Sequence, residues 1–313
     1  MLETPDTWGS TRRPAMLSLG TRNEKVSQQA PVMWVPRSTR ARSTATGQER
    51  TRGARHGRNG DAMRQPTAVK NVLLLKAGEA AEAVRVSVGD YDRWFLQAIG
   101  LSGYRFDIVL AHRDAPLPTR ADGYDAVMMT GSPLSVTALE PWMKRAADFM
   151  VEAGERGTPV LGVCFGQQLL AHAYGGRVSR NPQGRETGSV EVTLTEAGKQ
   201  DPLFDGVPER FIAQATHEDI VSHLPDGAQV LAGNANTAAQ ALAFRPTVRG
   251  VQFYPEASVD TLRAVIEARW EGLERDSVAR GAAPGEYVRQ LLAGLTPSPA
   301  GRRILLNFLE RFT

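Results

Sequence analysis

The sequence predicts an α/β protein with a mostly parallel central sheet, helices on both faces of that sheet, and a β-rich extension. From residue 69 onward, short runs of consecutive apolar residues alternate with segments of helical period. Such runs are typical of strands buried on both faces, and their alternation with helices indicates parallel strand order. Beyond residue 187, β-type segments follow one another with turn residues between them. We expect these segments to extend the sheet or to form an antiparallel edge.

The first half of this region contains four predicted strands and three predicted helices. The strands are NVLLLKAG (71–78), RFDIVLAH (105–112), YDAVMMTGSP (124–133) and TPVLGVC (158–164). The helices cover 90–100, 141–157 and 165–176, and glycines end each of them. The helix over 141–157 has an apolar face that consists of Met143, Ala146, Ala147, Met150 and Val151.

The second half is predicted to be β-rich before it ends in helices. Its strand segments are GSVEVTLT, RFIAQATH, AQVLAGN, AQALAFR and VRGVQF. Helices are expected over 260–274 and 301–312, with a short helix over 286–295 between them. Because no internal repeat is visible, we predict that residues 67–313 form one domain.

Residues 1–66 differ in composition from the rest of the chain. They hold 12 of the 37 Lys and Arg residues but only 5 of the 34 Asp and Glu residues. Rich in Arg, Ser, Thr and Gly and without an apolar period, this segment is predicted to be a disordered tail. Three interpretations are open: an upstream extension from a misassigned start, with Met63 as the alternative start; a nucleic-acid-binding arm; or a transit peptide, against which Glu3 and Asp6 argue.

Composition excludes several classes of protein. No apolar run approaches the roughly 18 to 20 residues that a membrane-spanning helix requires. The single cysteine, Cys164, excludes an intramolecular disulfide and a multi-cysteine zinc site, and it fits a reducing compartment. We therefore expect a cytoplasmic protein without a bound metal or a membrane contact. Nucleic acid is not an expected ligand, because the basic excess belongs to the tail.

The segment PVLGVCFGQQLL places Cys164 between a predicted strand and a predicted helix, with Gly162 and Gly166 on either side. This pattern indicates a nucleophile elbow, in which a strained residue presents its side chain at a sharp turn. The helix N-terminus is expected to lower the pKa of the thiol. The N–H of Phe165 is expected to stabilise an oxyanion. The alternative is an ordinary buried cysteine at the end of a strand.

A nucleophilic cysteine usually requires an imidazole as its base. His217, in the segment QATHEDIV, is the strongest candidate among the five histidines. The other four lie in the tail, at a strand end, along the elbow helix and in a turn-like SHLPDG segment: His56, His112, His172 and His223.

Three motifs in order, GSPLSV, GVCFGQQ and GVQFYPE, resemble those of the class I (Cys-His-Glu) glutamine amidotransferases. The chain is most similar to stand-alone members related to the glutaminase domain of GMP synthase, over about residues 69–256. The resemblance implies a flavodoxin-like three-layer fold, glutamine or a γ-glutamyl compound as substrate, and no cofactor. Because the sequence shows no ATP pyrophosphatase or Walker-type motif, any ammonia would pass to a separate synthetase subunit.

The resemblance also implies roles for individual residues. Cys164 would attack the amide and form a γ-glutamyl thioester. Glu256 would orient the base. The remaining roles are an oxyanion hole, implied for Gly131 and Phe165, and substrate binding, implied for Ser132 and Gln168.

The chain departs from the family pattern at the base, because Tyr254-Pro255-Glu256 stands where the family has His-Pro-Glu. A tyrosine, with a pKa of about 10, is a poor proton acceptor near neutral pH. Loss of a catalytic acid or base typically costs about 10²- to 10⁴-fold in rate. Gln167 also stands where the family often has histidine, which leaves His217 as a compensating base. Two functions stay open: a slow amide hydrolase, or an impaired homologue that binds a ligand or a partner.

Overall fold

The computed structural model describes residues 69–279, 281 and 283–313. The predicted tail over 1–66, Met63 included, lies outside the described residues. The strands, β1 to β11 in chain order, are Lys70–Lys76, Tyr104–Leu110, Ala126–Met129, Val160–Val163, Arg177–Arg180, Glu186–Leu194, Arg210–His217, Asp219–His223, Gln229–Gly233, Ala241–Arg245 and Val248–Val251. The helices, α1 to α9, are Glu82–Val88, Tyr91–Ile99, Pro141–Glu155, Phe165–Ala173, Glu196–Gln200, Val259–Ala268, Trp270–Val278, Glu286–Ala293 and Pro299–Arg311.

The described part of the chain forms a nine-stranded sheet in the order β2-β1-β3-β4-β11-β10-β9-β6-β7. The strands from β2 to β11 in this order are parallel neighbours. From β11 onward each neighbour is antiparallel. Strands β5 and β8 form a separate antiparallel pair. The predicted α/β class and its β-rich extension are therefore confirmed.

Strand β1 shows why the sheet needs helices on both faces. Its apolar residues are fully buried, and successive residues point to opposite faces. Val72 and Leu74 belong to one core cluster, together with Trp94 of α2, whereas Leu73 and Leu75 belong to a second cluster. Because both sides of the strand are apolar, neither face of the sheet can be left to solvent.

The pairing of β4 with β11 joins two motifs that are distant in sequence. Val160 to Val163 pair in parallel with Val248 to Val251, so both strands end at the same edge of the sheet. The N–H of Cys164 donates to the carbonyl oxygen of Val251 at 2.7 Å. The elbow and the segment after β11 are therefore neighbours in space.

The prediction of a single helix over 260–274 is wrong, because the structure divides it into α6 and α7. The break lies at Arg269, whose backbone leaves helical geometry with φ −103° and ψ 8°. The division lets Leu262 and Ile266 of α6 pack with Leu273 of α7 and Val288 of α8 in a small apolar cluster. It also turns the Arg269 side chain toward Thr216, whose hydroxyl accepts a hydrogen bond from it at 2.7 Å.

Two short helices and the β5–β8 pair were not predicted. Strand β5 reads RVSR and has one buried residue, Val178, so it carries no apolar run to reveal it. His223, predicted in a turn, ends β8 instead. None of the helices in the described residues combines the length and apolarity that crossing a bilayer requires.

Candidate active site

Cys164 lies at the turn between β4 and α4 with φ 49° and ψ −98°. A positive φ is uncommon for a residue with a side chain, and such strain is often found at functional sites. Close contacts explain the two flanking glycines. A Cβ atom on Gly162 would lie 2.4 Å from the carbonyl carbon of Gly166, and one on Gly166 would lie 3.0 Å from the carbonyl oxygen of Met129. The turn therefore has the geometry expected of a nucleophile elbow.

Two side chains from the segment after β11 contact the buried sulfur. The Tyr254 hydroxyl donates a hydrogen bond to Sγ of Cys164 at 3.0 Å, and Nε2 of Gln252 lies 3.5 Å from it. Burial, with the nearby Cys164, raises the pKa of Tyr254 well above its ordinary value. The phenol therefore keeps its proton and acts as a donor to sulfur. Sequence reasoning missed Gln252, although it stands two residues before Tyr254 in GVQFYPE.

Burial raises the pKa of the Cys164 thiol to about 11. The hydrogen bond from Tyr254, the charge of Arg269 and the N–H of Phe165 lower this pKa, while Glu256 raises it. The N–H of Phe165 at the helix N-terminus lowers the pKa as expected, but burial outweighs it, so the expected preference for thiolate is wrong. Near pH 7 the resting group is a thiol.

Glu256 is buried beside this site, and no other described residue donates a hydrogen bond to its carboxylate oxygens. Burial raises its pKa to about 8, an effect that its own backbone N–H only partly offsets. The single O–H of Tyr254 points at sulfur, so it cannot also donate to Glu256. The structure thus brings Tyr254 to Cys164 but does not join Glu256 to either residue by a hydrogen bond.

His217 has a different carboxylate partner, which the sequence did not suggest. On neighbouring antiparallel strands, His217 and Glu186 stand directly opposite each other, and Nε2 of His217 lies 2.9 Å from Glu186 Oε2. Burial alone would raise the pKa of Glu186, but hydrogen bonds from His217, Asn234 and Gln240 lower it overall. Glu186 is therefore ionised and accepts a hydrogen bond from Nε2–H of His217. The buried Nδ1 of His217 has no partner among the described residues.

The next residues predicted for the site are Gly131, Ser132 and Gln168. A Cβ atom on Gly131 would lie 2.5 Å from the Tyr254 ring, so the GSP turn, residues 131–133, packs directly against that ring. The Ser132 hydroxyl donates to the carbonyl oxygen of Ala77 at 2.9 Å, so its proton is already used in a hydrogen bond within the protein. The side-chain amide of Gln168 donates to the carbonyl oxygen of Asp219 at 2.7 Å.

A cavity of about 810 Å³ opens onto Cys164. Its walls are residues 132–135 at the GSP turn, the elbow, residues 216–219 with His217, and the α6–α7 break over 267–273. The volume falls within the range of about 300 to 1,000 Å³ that is typical of small-molecule sites. No group of His, Cys, Asp or Glu in the described residues is arranged to hold a metal ion. The cavity is large enough for a small molecule and opens onto the thiol.

Comparison with known sequences identifies the family. The family model for class-I glutamine amidotransferases matches residues 88–269. GMP synthase (glutamine-hydrolyzing) from Thermomicrobium roseum is 40% identical over 140 residues, which cover 45% of this chain and 25% of the synthase. The chain thus spans about a quarter of such synthases. γ-Glutamyl peptidase 4 from Arabidopsis thaliana is 25% identical over 249 residues, which cover 77% of this chain and 96% of that protein.

Comparison with solved structures agrees on the fold. A glutamine amidotransferase from Thermotoga maritima superposes with a TM-score of 0.59 at 22% identity, covering 78% of this chain and 98% of that chain. A glutamine amidotransferase from Methylobacillus flagellatus gives the same TM-score at 21% identity, with 78% and 95% covered. These neighbours share the flavodoxin-like three-layer architecture. Since the family model covers more than half of the sequence, the chain belongs to the class-I glutamine amidotransferase family.

Proposed function

We propose that the protein hydrolyses the side-chain amide of glutamine, or the corresponding amide of a γ-glutamyl compound, through a thioester on Cys164. The observation that carries this proposal is the strained elbow thiol at the base of a cavity large enough for such a substrate. Family membership supports the same chemistry. The similarity to both a GMP synthase and a γ-glutamyl peptidase leaves glutamine and γ-glutamyl compounds as the two substrate types.

In the proposed reaction, Sγ of Cys164 attacks the γ-carbonyl carbon and the thiol proton passes to a base. The N–H groups of Gly131 and Phe165 would stabilise the oxyanion. The C–N bond then breaks, and the amine or ammonia leaves with a proton from the protonated base. Water attacks the thioester, releasing glutamate and restoring the thiol. Ser132 and Gln168 would bind the γ-glutamyl group.

Tyr254 would act in this mechanism as a hydrogen-bond donor. Its O–H already points at sulfur at 3.0 Å, and a hydrogen bond to a developing thiolate is stronger than one to a neutral thiol. The phenol therefore favours formation of the nucleophile without accepting its proton.

His217 would be the base. The hydrogen bond from Nε2–H of His217 to Glu186 keeps the proton on Nε2, which leaves a lone pair on Nδ1 in a residue that lines the same cavity as Cys164. A carboxylate that orients an imidazole is the arrangement used in hydrolytic triads. In this proposal Glu186, and not Glu256, has the orienting role.

A second candidate function, binding without fast turnover, is favoured by a specific observation. The thiol pKa is about 11, and no described imidazole is hydrogen-bonded to the sulfur. Under this alternative the cavity binds a γ-glutamyl ligand, or the surface binds a partner. If ammonia is produced, we propose that a separate synthetase subunit receives it, since the chain matches only a quarter of the synthase.

The two functions are separated by assaying glutamine and γ-glutamyl amides with wild type, Cys164→Ala and Tyr254→His, and by labelling with a glutamine-like electrophile. Hydrolysis by wild type that Cys164→Ala abolishes supports the enzyme. Histidine at 254 would provide an imidazole between Cys164 and Glu256, and we expect it to raise the rate by about 10²- to 10⁴-fold. An inactive wild type supports the binding function, and labelling away from Cys164 contradicts both.

The base is tested separately with His217→Gln. We expect a loss of about 10²- to 10⁴-fold in kcat at neutral pH, because the proposed proton acceptor is removed. The matched control is His172→Gln, which changes an exposed histidine on the elbow helix. Equal rates for the two variants would contradict the role of His217.

A further inference from the structure

Arg269, at the break between α6 and α7, presents a guanidinium to the cavity without an ion-pair partner among the described residues. The side chain is half-buried and lines the cavity. Its hydrogen bond from Nη1 to the Thr216 hydroxyl, at 2.7 Å, uses one of five N–H donors. The remaining donors can serve a planar acceptor such as a carboxylate.

A second guanidinium, Arg185, lines the same cavity with its side chain 21% exposed. One of its terminal nitrogens pairs with Glu218, whereas its buried Nε has no partner in the part of the chain that the structure describes. Burial, followed by the charge of Arg269, lowers the pKa of Arg185. The two cations thus repel each other, and an anion between them would relieve that repulsion.

The N-terminus of α7 lies at the same wall, directly after the C-terminus of α6, whose dipole has the opposite sign. No side chain caps this helix, and its first residues, Trp270 to Gly272, line the cavity. The free N–H groups of a helix N-terminus favour anions. An independent observation also points to a ligand here, since the unpartnered Nδ1 of His217 belongs to a side chain that is 4% exposed and lines the cavity.

The acidic side chains of the cavity do not neutralise Arg269. Glu218 is shared between Arg180 and Arg185, and Asp219 accepts a hydrogen bond from Ser135 at 2.5 Å. Two further carboxylates, Glu267 and Glu271, are exposed and form no ion pair with Arg269.

We propose that Arg269 and Arg185 form a carboxylate subsite for the amine side of the substrate, which would be a γ-glutamyl peptide or γ-glutamyl amino acid. This inference rests on the proposed function and deepens it. The cavity of about 810 Å³ belongs to the size class that holds ligands larger than a single amino acid. A leaving group with its own carboxylate would fill the cavity and pair with Arg269.

The test measures binding in the full chain that carries Cys164→Ala, so that neither turnover nor the thiol pKa affects the result. γ-Glutamylglycine and γ-glutamyl methylamide are titrated by calorimetry; they differ in the leaving-group carboxylate. We expect tighter binding of γ-glutamylglycine, and Arg269→Gln should weaken it by about 10- to 100-fold while leaving the methylamide unchanged. Arg269→Lys should retain part of the preference.

Two control variants accompany this test. Arg263→Gln removes an exposed arginine of α6 that does not line the cavity, and it should change neither affinity. Thr216→Val removes the hydrogen bond of Arg269 but keeps its charge. If Arg269 had only a structural role, Thr216→Val and Arg269→Gln would lose affinity for γ-glutamylglycine equally. The proposal predicts that the loss of affinity belongs to Arg269→Gln. Unfolding midpoints check that each variant is folded.

Three outcomes would overturn the subsite. They are equal weakening of both ligands, which assigns Arg269 to the α-carboxylate; unchanged affinities in Arg269→Gln; and no binding of γ-glutamylglycine to the parent variant. Failure of the proposed function is recognised separately, since it would show as absent hydrolysis and absent Cys164 labelling in wild type.

Discussion

Replacing Glu256 by glutamine tests the electrostatics of the site without disturbing its shape. The buried carboxyl has an ordinary pKa of 4.5 and a pKa of about 8 in the folded protein, chiefly because burial penalises the charged form. The folded state therefore holds this proton more tightly than the unfolded chain does. Its contribution to stability is fully present below about pH 4.5 and is lost as pH rises to about 8.

The magnitude follows from the width of this window. A shift from 4.5 to about 8, at about 1.4 kcal/mol per pH unit, corresponds to roughly 5 kcal/mol in the free energy of unfolding. This figure is a ceiling, because water that reaches an ionised carboxylate reduces the penalty. Glutamine has nearly the same shape and no charge to bury. The variant should therefore become more stable than wild type as pH rises.

Urea unfolding at pH 5, 6, 7 and 8, followed by tryptophan fluorescence, measures this difference. We expect the midpoint of Glu256→Gln to exceed that of wild type by an amount that grows with pH. The control is Glu191→Gln, in which the replaced side chain is 59% exposed; its midpoint should follow wild type at every pH. Midpoint curves for Glu256→Gln and wild type that run parallel from pH 5 to 8 would refute the reasoning.

Two further changes test the elbow and its hydrogen bond. Tyr254→Phe removes the hydrogen bond to Cys164 Sγ, so the pKa of the thiol should rise further. Alkylation of Cys164 at pH 9 should then slow by about 10- to 100-fold. An unchanged profile of alkylation rate against pH would count against a role of the phenol. Gly162→Ala places a Cβ 2.4 Å from backbone that cannot move aside, and we expect a loss of about 1 to 3 kcal/mol in the free energy of unfolding. Gly123→Ala, which meets nothing within 4 Å, is its control, and equal urea midpoints for the two alanine variants would contradict the packing argument.

The sheet could be predicted because its signal is local. Continuous apolar runs such as NVLLLKAG indicate buried strands, and the helices that alternate with them indicate that these strands are parallel. Helix α2 was equally visible, since Asp90 caps its start and Gly100 follows its end. The short pair of β5 and β8 escaped prediction, because Arg177–Arg180 buries one side chain and has no period to detect.

Part of the proposed site has a local signal of the same kind. The glycines at 162 and 166 around Cys164 form a local pattern, and the predicted departure at Tyr254 depends on the three adjacent residues YPE. The hydrogen-bond partner of His217 could not be predicted from the sequence. Glu186 lies 31 residues away and becomes a neighbour of His217 only through the register of β6 and β7.

The sequence by itself determined the fold class and the strand-to-helix turn at the cysteine, and it raised the prediction that Tyr254 stands at the position of the family histidine. Each of these depends on residues close together in the chain. Only the tertiary structure decided the charge states and the partners: burial raises the pKa of Cys164 to about 11 and that of Glu256 to about 8. The break at Arg269 likewise brings a cation to the cavity. These properties depend on how far each side chain is removed from water and on contacts between residues distant in sequence. A local pattern of residues predicts neither.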